Sequence, residues 1–184
     1  TTTSNAGPPL PGGLSKLLDS AAAEGSYIPK TSKLKINARL EPSVVTAGAK
    51  ARLVVAIAPD ADWHVYYAIA APLPASGNQA TSLVFTETSG LAGGFLATEQ
   101  KPVGDHVGAE ASIPYYEQPV TWTAEIDVPK DAKPGDYRLA GTLGFQTCQG
   151  KNCLPPEAVK WETSLTVAAS APASVAAKPV KFLE

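Results

Sequence analysis

The chain has 184 residues, with 15 lysines and arginines against 17 aspartates and glutamates, so its formal net charge is −2. This length accommodates one domain of ordinary size with flanking segments. The nearly balanced charge indicates no nucleic-acid partner. No apolar run reaches the length of a membrane-spanning helix.

The sequence predicts three segments. Residues 1–30 are a Gly/Pro-rich lead-in with one short helix, Leu14 to Ala23, which Ser15 could cap and Gly25 could end. Residues 31–168 carry the strand signals. Residues 169–184 are rich in Ala, Pro and Ser, which predicts a C-terminal linker with few side chains to pack. We expect such a tail to have connected the domain to a further part of a longer protein.

The middle segment contains short runs with the patterns of β-strands. Leu34 to Leu40 alternates with period two, whereas Ala51 to Ile57 is a nearly continuous apolar run, as in a central strand. Trp122 and Trp161 alternate with polar neighbours, which predicts that both lie in the core. Seven or eight such strands with almost no helix predict an all-β, immunoglobulin-like β-sandwich. The other runs are Trp63 to Tyr67, Ser82 to Thr86, Val120 to Val128, Tyr137 to Phe145 and Val159 to Val167.

A long irregular section, residues 89–117, interrupts this pattern. Loops of this length without secondary structure are usually functional or disordered. Near its centre, Gly104 and Gly108 flank Asp105, His106 and Val107. Glycine can adopt hinge conformations that are closed to other residues, so we interpret residues 105–108 as a candidate movable loop.

The only two cysteines, Cys148 and Cys153, are separated by four residues that have the composition of a hairpin turn. The strand before them ends at Phe145, and Pro155 favours extended backbone after them. Opposed residues of a two-stranded ribbon have Cβ atoms roughly 4.5–5.5 Å apart, and a disulfide needs about 3.5–4.5 Å. The pair could therefore close and open without refolding the domain.

Spacing alone leaves three interpretations of this pair open. The bridge could be a structural staple, although a loop this short contributes only about 2 kcal/mol, against about 4.7 for a 100-residue loop. It could be a redox couple. It could also bind a metal with His64 or His106, although zinc sites usually have four ligands.

The segment Gly144 to Glu157, with its Cys-x4-Cys-x-Pro-Pro hairpin, resembles the N-terminal periplasmic domain of the thiol:disulfide interchange protein DsbD. Asp62-Trp-His-Val-Tyr-Tyr67 is similar to the aromatic strand beneath the cysteines of that family, which implies that His64 and Tyr66 line the site. Residues Asp105, His106, Val107 and Gly108 fall where that family has its cap loop. The likeness spans roughly residues 33–168. One fewer residue separates the cysteines here, and Val107 or His106 replaces an aromatic cap residue.

This resemblance implies a function in thiol:disulfide exchange, as part of a protein-disulfide reductase. Cys153 would form the mixed disulfide and Cys148 would resolve it. Electrons would pass from a membrane-embedded reductase domain to thioredoxin-fold proteins of the periplasm, with no cofactor or metal, and the domain would be a monomer. The rival interpretations are a non-catalytic interaction module with a structural disulfide and a periplasmic metal-binding module.

Overall fold

The computed structural model describes residues 25–68, 80–103, 114–171 and 176–183, and these contain strands, turns and bends but no helix. The helix predicted for Leu14 to Ala23 lies outside the described residues. The strands, in chain order, are β1 (Ser26–Tyr27), β2 (Leu34–Glu41), β3 (Val44–Thr46), β4 (Lys50–Pro59), β5 (His64–Tyr66), β6 (Ser82–Glu87), β7 (Ala92–Gly93), β8 (Tyr115–Tyr116), β9 (Val120–Asp127), β10 (Gly135–Phe145), β11 (Thr147–Gln149), β12 (Asn152–Cys153), β13 (Glu157–Ala168), β14 (Lys178–Pro179) and β15 (Lys181–Leu183).

Two sheets form a β-sandwich, and a third, smaller sheet carries the cysteines. The first sheet has the order β1-β2-β4-β9-β7, with β14 also pairing with β2. The second has the order β15-β13-β10-β6, and β3 runs parallel to β13. The small sheet has the order β12-β11-β5-β8. The predicted all-β, immunoglobulin-like architecture is thus confirmed.

The hydrophobic patterns of the strands account for their positions in the sandwich. In β9, alternate side chains from Val120 to Ile126 are buried, as expected for a strand with one face on the core. In β4, every residue from Leu53 to Ile57 is buried, because this strand lies between β2 and β9. The prediction of a central strand there is correct.

The core is built around the two predicted tryptophans. Trp122 and Trp161 are both almost completely buried. The ring of Tyr116 meets Trp122 edge-on, with centroids 5.6 Å apart, and Phe85 meets Trp161 in the same way at 5.3 Å. Such edge-to-face contacts stabilise a core beyond the area that they bury.

The linker predicted for residues 169–184 is wrong for its last part. Strand β14 pairs with β2 of one sheet, and β15 pairs with β13 of the other. Between them, Val180 is only 1% exposed, and Phe182 packs against Tyr27 with centroids 5.5 Å apart. The Ala/Pro/Ser content predicts a linker, but Val180 and Phe182 alternate with lysines as in a strand with one buried face. Residues 178–183, here called the C-terminal clasp, therefore join the two sheets at one edge of the sandwich.

Strand β1 likewise lies within the predicted lead-in. Ser26 and Tyr27 pair with Asn37 and Ile36 of β2. The end of the lead-in is therefore part of the first sheet, while the division of the chain into three segments stays a prediction.

Candidate functional site

The two cysteines lie directly opposite each other on a tight hairpin. Strands β11 and β12 pair in the register Cys148↔Cys153 and Gln149↔Asn152, so the turn itself is Gly150-Lys151. Gly150 has a φ of +57°, a conformation that two-residue hairpin turns require and that glycine adopts without steric cost. A disulfide joins the cysteines, whose Cα atoms are 4.0 Å apart.

The two sulfur-bearing residues differ sharply in their access to solvent. Cys148 is 0% exposed, because β11 lies between β12 and β5. Cys153 is exposed and lies on β12, the edge strand of the small sheet. A cysteine of a second protein can therefore reach Cys153 from solvent, whereas Cys148 is covered.

Hydrogen bonds hold the base of the hairpin independently of the disulfide. The backbone N–H of Leu154 donates to the carbonyl oxygen of Thr147 at 3.0 Å. The Thr147 Oγ1 accepts a hydrogen bond from the N–H of Lys33 at 3.2 Å, and a Glu157 carboxylate oxygen accepts one from the N–H of Ser32 at 2.9 Å. The segment preceding β2 thus anchors β11 and the start of β13, which follows the hairpin.

Strand β5 lies beside β11 and brings the predicted aromatic residues to the cysteines. His64 pairs with Cys148 in register, and paired residues of neighbouring strands share a face of the sheet. Tyr66, two residues further along β5, lies on the same face. The Tyr66 Oη is 3.7 Å from the Cys153 Sγ. Because a disulfide sulfur carries no proton, the tyrosine hydroxyl is the donor of this contact.

Tyr115 and Thr81 also belong to the site, although the sequence interpretation did not include them. Tyr115 pairs with Tyr66 across β5 and β8, and its ring lies 4.3 Å from that of His64. The Thr81 Oγ1 donates a 2.7 Å hydrogen bond to the Tyr66 carbonyl oxygen. One sequence feature could have indicated Tyr115: residues 115–116 are a second Tyr-Tyr pair, like residues 66–67. The pairing of β5 with β8 joins residues far apart in the chain, so it leaves no local pattern in the sequence.

Burial raises the pKa of two tyrosines in this region, Tyr66 and Tyr116. Desolvation, with a smaller contribution from Tyr115, raises the pKa of Tyr66 above its usual value. Desolvation, with a smaller contribution from Tyr67, raises the pKa of Tyr116 to about 12. At neutral pH the Tyr66 hydroxyl is therefore a hydrogen-bond donor.

The remaining site predictions have different outcomes. Asp105, His106, Val107 and Gly108 lie outside the described residues. Within the residues that the structure describes, no group of three or more His, Cys, Asp or Glu side chains is placed to hold a metal ion. Among the same residues, no helix has the length and apolar character needed to cross a membrane.

Neither a protein-family model nor a curated protein matches this chain. Solved structures with a similar fold include the N-terminal periplasmic domain of ScsB from Proteus mirabilis, at 14% identity and a TM-score of 0.41 over 82% of this chain and 55% of that one. They also include the GAE domain of yeast GGA1, at 15% identity and a TM-score of 0.37 over 77% of this chain and 99% of that one. A third is the reduced N-terminal domain of DsbD from Neisseria meningitidis, at 15% identity and a TM-score of 0.30 over 70% of this chain and 86% of that one. The function is therefore inferred from the cysteine hairpin itself.

Proposed function

We propose that this chain is a periplasmic thiol:disulfide interchange domain that relays electrons, as a dithiol/disulfide pair, from a membrane reductase partner to thioredoxin-fold oxidoreductases. The observation that carries this proposal is the pairing of one exposed and one buried cysteine on a single hairpin. Exchange needs one sulfur that a partner can reach and a second thiol beside it that can resolve the mixed disulfide.

The reaction transfers two electrons in two displacement steps. In the reduced domain, the Cys153 thiolate attacks a sulfur of the partner's disulfide, forming a mixed disulfide and releasing the partner's first thiolate. Cys148 then loses its proton, which the released thiolate of the partner can take up, and attacks the Cys153 Sγ, which releases the partner's second thiolate. The domain is left oxidised and the partner reduced. The membrane reductase would reverse these steps, and no cofactor takes part.

The hydrogen bonds at the base of the hairpin favour this function over a structural staple. Thr147 and Glu157 anchor β11 and the start of β13 to the segment preceding β2, so the hairpin has attachments other than the disulfide. A bridge that closes so short a loop adds only about 2 kcal/mol. The resemblance of the Cys-x4-Cys-x-Pro-Pro sequence to the DsbD family supports the periplasmic location and the class of partner.

The reduction potential of the Cys148–Cys153 pair tests the proposal. Equilibration with glutathione buffers at pH 7 should give a value between about −270 and −120 mV, the span of known exchange proteins. A value below about −300 mV is typical of a structural disulfide and would contradict the proposal. The measurement should be repeated with zinc and with copper, because a metal-dependent shift would favour the metal-binding module.

We also propose, from the same resemblance, that residues 105–108 can close over the cysteines in the free domain, which would shield the otherwise exposed Cys153 until a partner displaces the loop. The glycines at positions 104 and 108 support a loop that can move aside. Deleting residues 105–108 should then speed the alkylation of the reduced thiols by a bulky maleimide more than by iodoacetamide, which is small enough to enter under a cover. An equal effect on the two reagents, or none, would count against the cover.

A further inference from the structure

The side chain of Tyr66 reaches the exposed cysteine from the protein interior. Its hydroxyl oxygen lies 3.7 Å from the Cys153 Sγ, within hydrogen-bond range for sulfur, although the tyrosine itself is 5% exposed. Cys153 therefore faces solvent on one side and a buried hydrogen-bond donor on the other. A partner that approaches from solvent leaves this contact undisturbed.

The position of Tyr66 is fixed by its neighbours. Its strand pairs with β11 on one side and β8 on the other. The Thr81 Oγ1, which is completely buried, donates to its carbonyl oxygen at 2.7 Å. The ring of His64 packs against it at nearly a right angle, with centroids 5.4 Å apart. A donor held in this way needs no reorganisation when charge develops on the sulfur beside it.

We propose that Tyr66 is a catalytic residue of the exchange reaction, whose hydroxyl donates a hydrogen bond to the Cys153 thiolate. The inference deepens the proposed function and depends on it. In the attack on a partner, the Cys153 thiolate is the nucleophile, and in the reverse step it is the leaving group. In both, a pair of electrons resides on the Cys153 Sγ while the S–S bond to the partner forms or breaks. The hydroxyl keeps its own proton throughout, which the raised pKa of Tyr66 supports.

This hydrogen bond distinguishes the two cysteines chemically as well as sterically. Hydrogen bonds to charged groups are stronger than those to neutral ones, so the Tyr66 contact strengthens as Cys153 ionises. The contact therefore favours the thiolate on the cysteine that a partner can reach. More thiolate speeds exchange, although each thiolate becomes a somewhat weaker nucleophile.

The substitution Tyr66→Phe, which removes only the hydroxyl, tests this role. The rate of alkylation of Cys153 by iodoacetamide would be measured against pH in a Cys148→Ser background, which leaves a single thiol. Loss of the hydrogen bond should lower the thiolate fraction at pH 7 about tenfold, while the intrinsic reactivity of each thiolate should rise about threefold, from a Brønsted coefficient of about 0.4–0.5. The variant should therefore react about threefold more slowly at pH 7 and about threefold faster where the thiol is fully ionised.

The decisive result is that the two pH–rate curves cross. A change in packing alone would raise the rate at every pH or lower it at every pH. Tyr67→Phe is the matched control. It removes a hydroxyl from the next residue, whose ring stacks on Tyr116, and it should leave the curve unchanged. If Cys148→Ser weakens the fold, the comparison can use the reduced two-cysteine protein, with the alkylated peptide identified by mass.

Curves for Tyr66→Phe that coincide with those of the parent, or that shift by the same factor at every pH, would overturn the inference. Failure of the proposed function is a separate result. It would be seen as a wild-type domain whose reduced form does not reduce the disulfide of a thioredoxin-fold protein, whatever the alkylation curves show.

Discussion

At the scale of single residues, the proposed exchange gives the two ends of one disulfide different roles, because their surroundings differ. Cys148 is enclosed between two strands, and Cys153 lies on the outer one. A thiol–disulfide displacement requires access to the sulfur that is attacked. Burial thus assigns contact with a partner to Cys153, which is the role that the resemblance to the DsbD family also implies.

Substituting each cysteine in turn should reveal this difference. Cys148→Ser removes the resolving thiol, so mixed disulfides with a thioredoxin-fold partner should accumulate on a non-reducing gel and disappear with dithiothreitol. Cys153→Ser leaves only the covered thiol and should trap far less partner. Equal trapping by the two variants would show that burial does not decide which cysteine reacts.

At the scale of elements, the hairpin formed by β11 and β12 should survive the loss of its disulfide. We expect the anchors at Thr147 and Glu157 to persist in the reduced protein, because neither hydrogen bond involves a sulfur atom, and the loop closed by the bridge is short. We expect reduction to lower the free energy of unfolding by about 2 kcal/mol and to leave the far-ultraviolet circular dichroism spectrum unchanged. A collapse of the β signal on reduction would instead favour the staple.

A matched substitution separates the contribution of the anchors from that of the disulfide. Thr147→Val removes the acceptor for the Lys33 N–H while keeping the shape of the side chain, and a part-buried hydrogen bond of this kind contributes about 0.5–1.5 kcal/mol. This cost should be the same in the oxidised and reduced proteins if the anchors act independently of the bridge. A cost confined to the reduced form would mean that the disulfide dominates.

The sequence predicted those elements of the fold whose signals lie within a few neighbouring residues. The strands from β2 to β13 with long alternating or apolar runs, and the cysteine hairpin, follow from period, turn residues and proline. Tyr115 and Thr81 could not be placed, because their contacts with β5 join residues far apart in sequence. The clasp was missed for a different reason: its alternation covers only Val180 and Phe182, too few residues to outweigh an Ala/Pro/Ser-rich composition.

At the scale of the whole molecule, the C-terminal clasp contributes to stability by covering an edge that both sheets share. Val180 belongs to the hydrophobic core together with Trp161, and Phe182 packs against that core. Val180→Ala should lower the free energy of unfolding by about 2 kcal/mol, from the lost apolar burial and the cavity that it leaves. Chemical denaturation followed by tryptophan fluorescence would measure this change.

Lys181→Ala is the control for this substitution. Its side chain is 72% exposed, and it forms an ion pair with Glu162 at 3.3 Å, an exposed contact of the kind that contributes at most about 1 kcal/mol. A loss from Lys181→Ala as large as that from Val180→Ala would contradict the packing role of the clasp. Neither substitution should alter the reactivity of the cysteines, because the clasp pairs with the two large sheets and not with the small one.

The shortness of β12 has a consequence for how copies of this protein meet one another. An exposed sheet edge invites pairing with the edge of another chain, which is a common start of aggregation. Here that edge is two residues long, and Pro155 and Pro156 follow closely, neither of which has an N–H to donate. Two molecules crowded together in a concentrated solution thus find little backbone at this edge to share. The sulfur of Cys153 can therefore lie at an exposed sheet edge without drawing identical chains into fibrils.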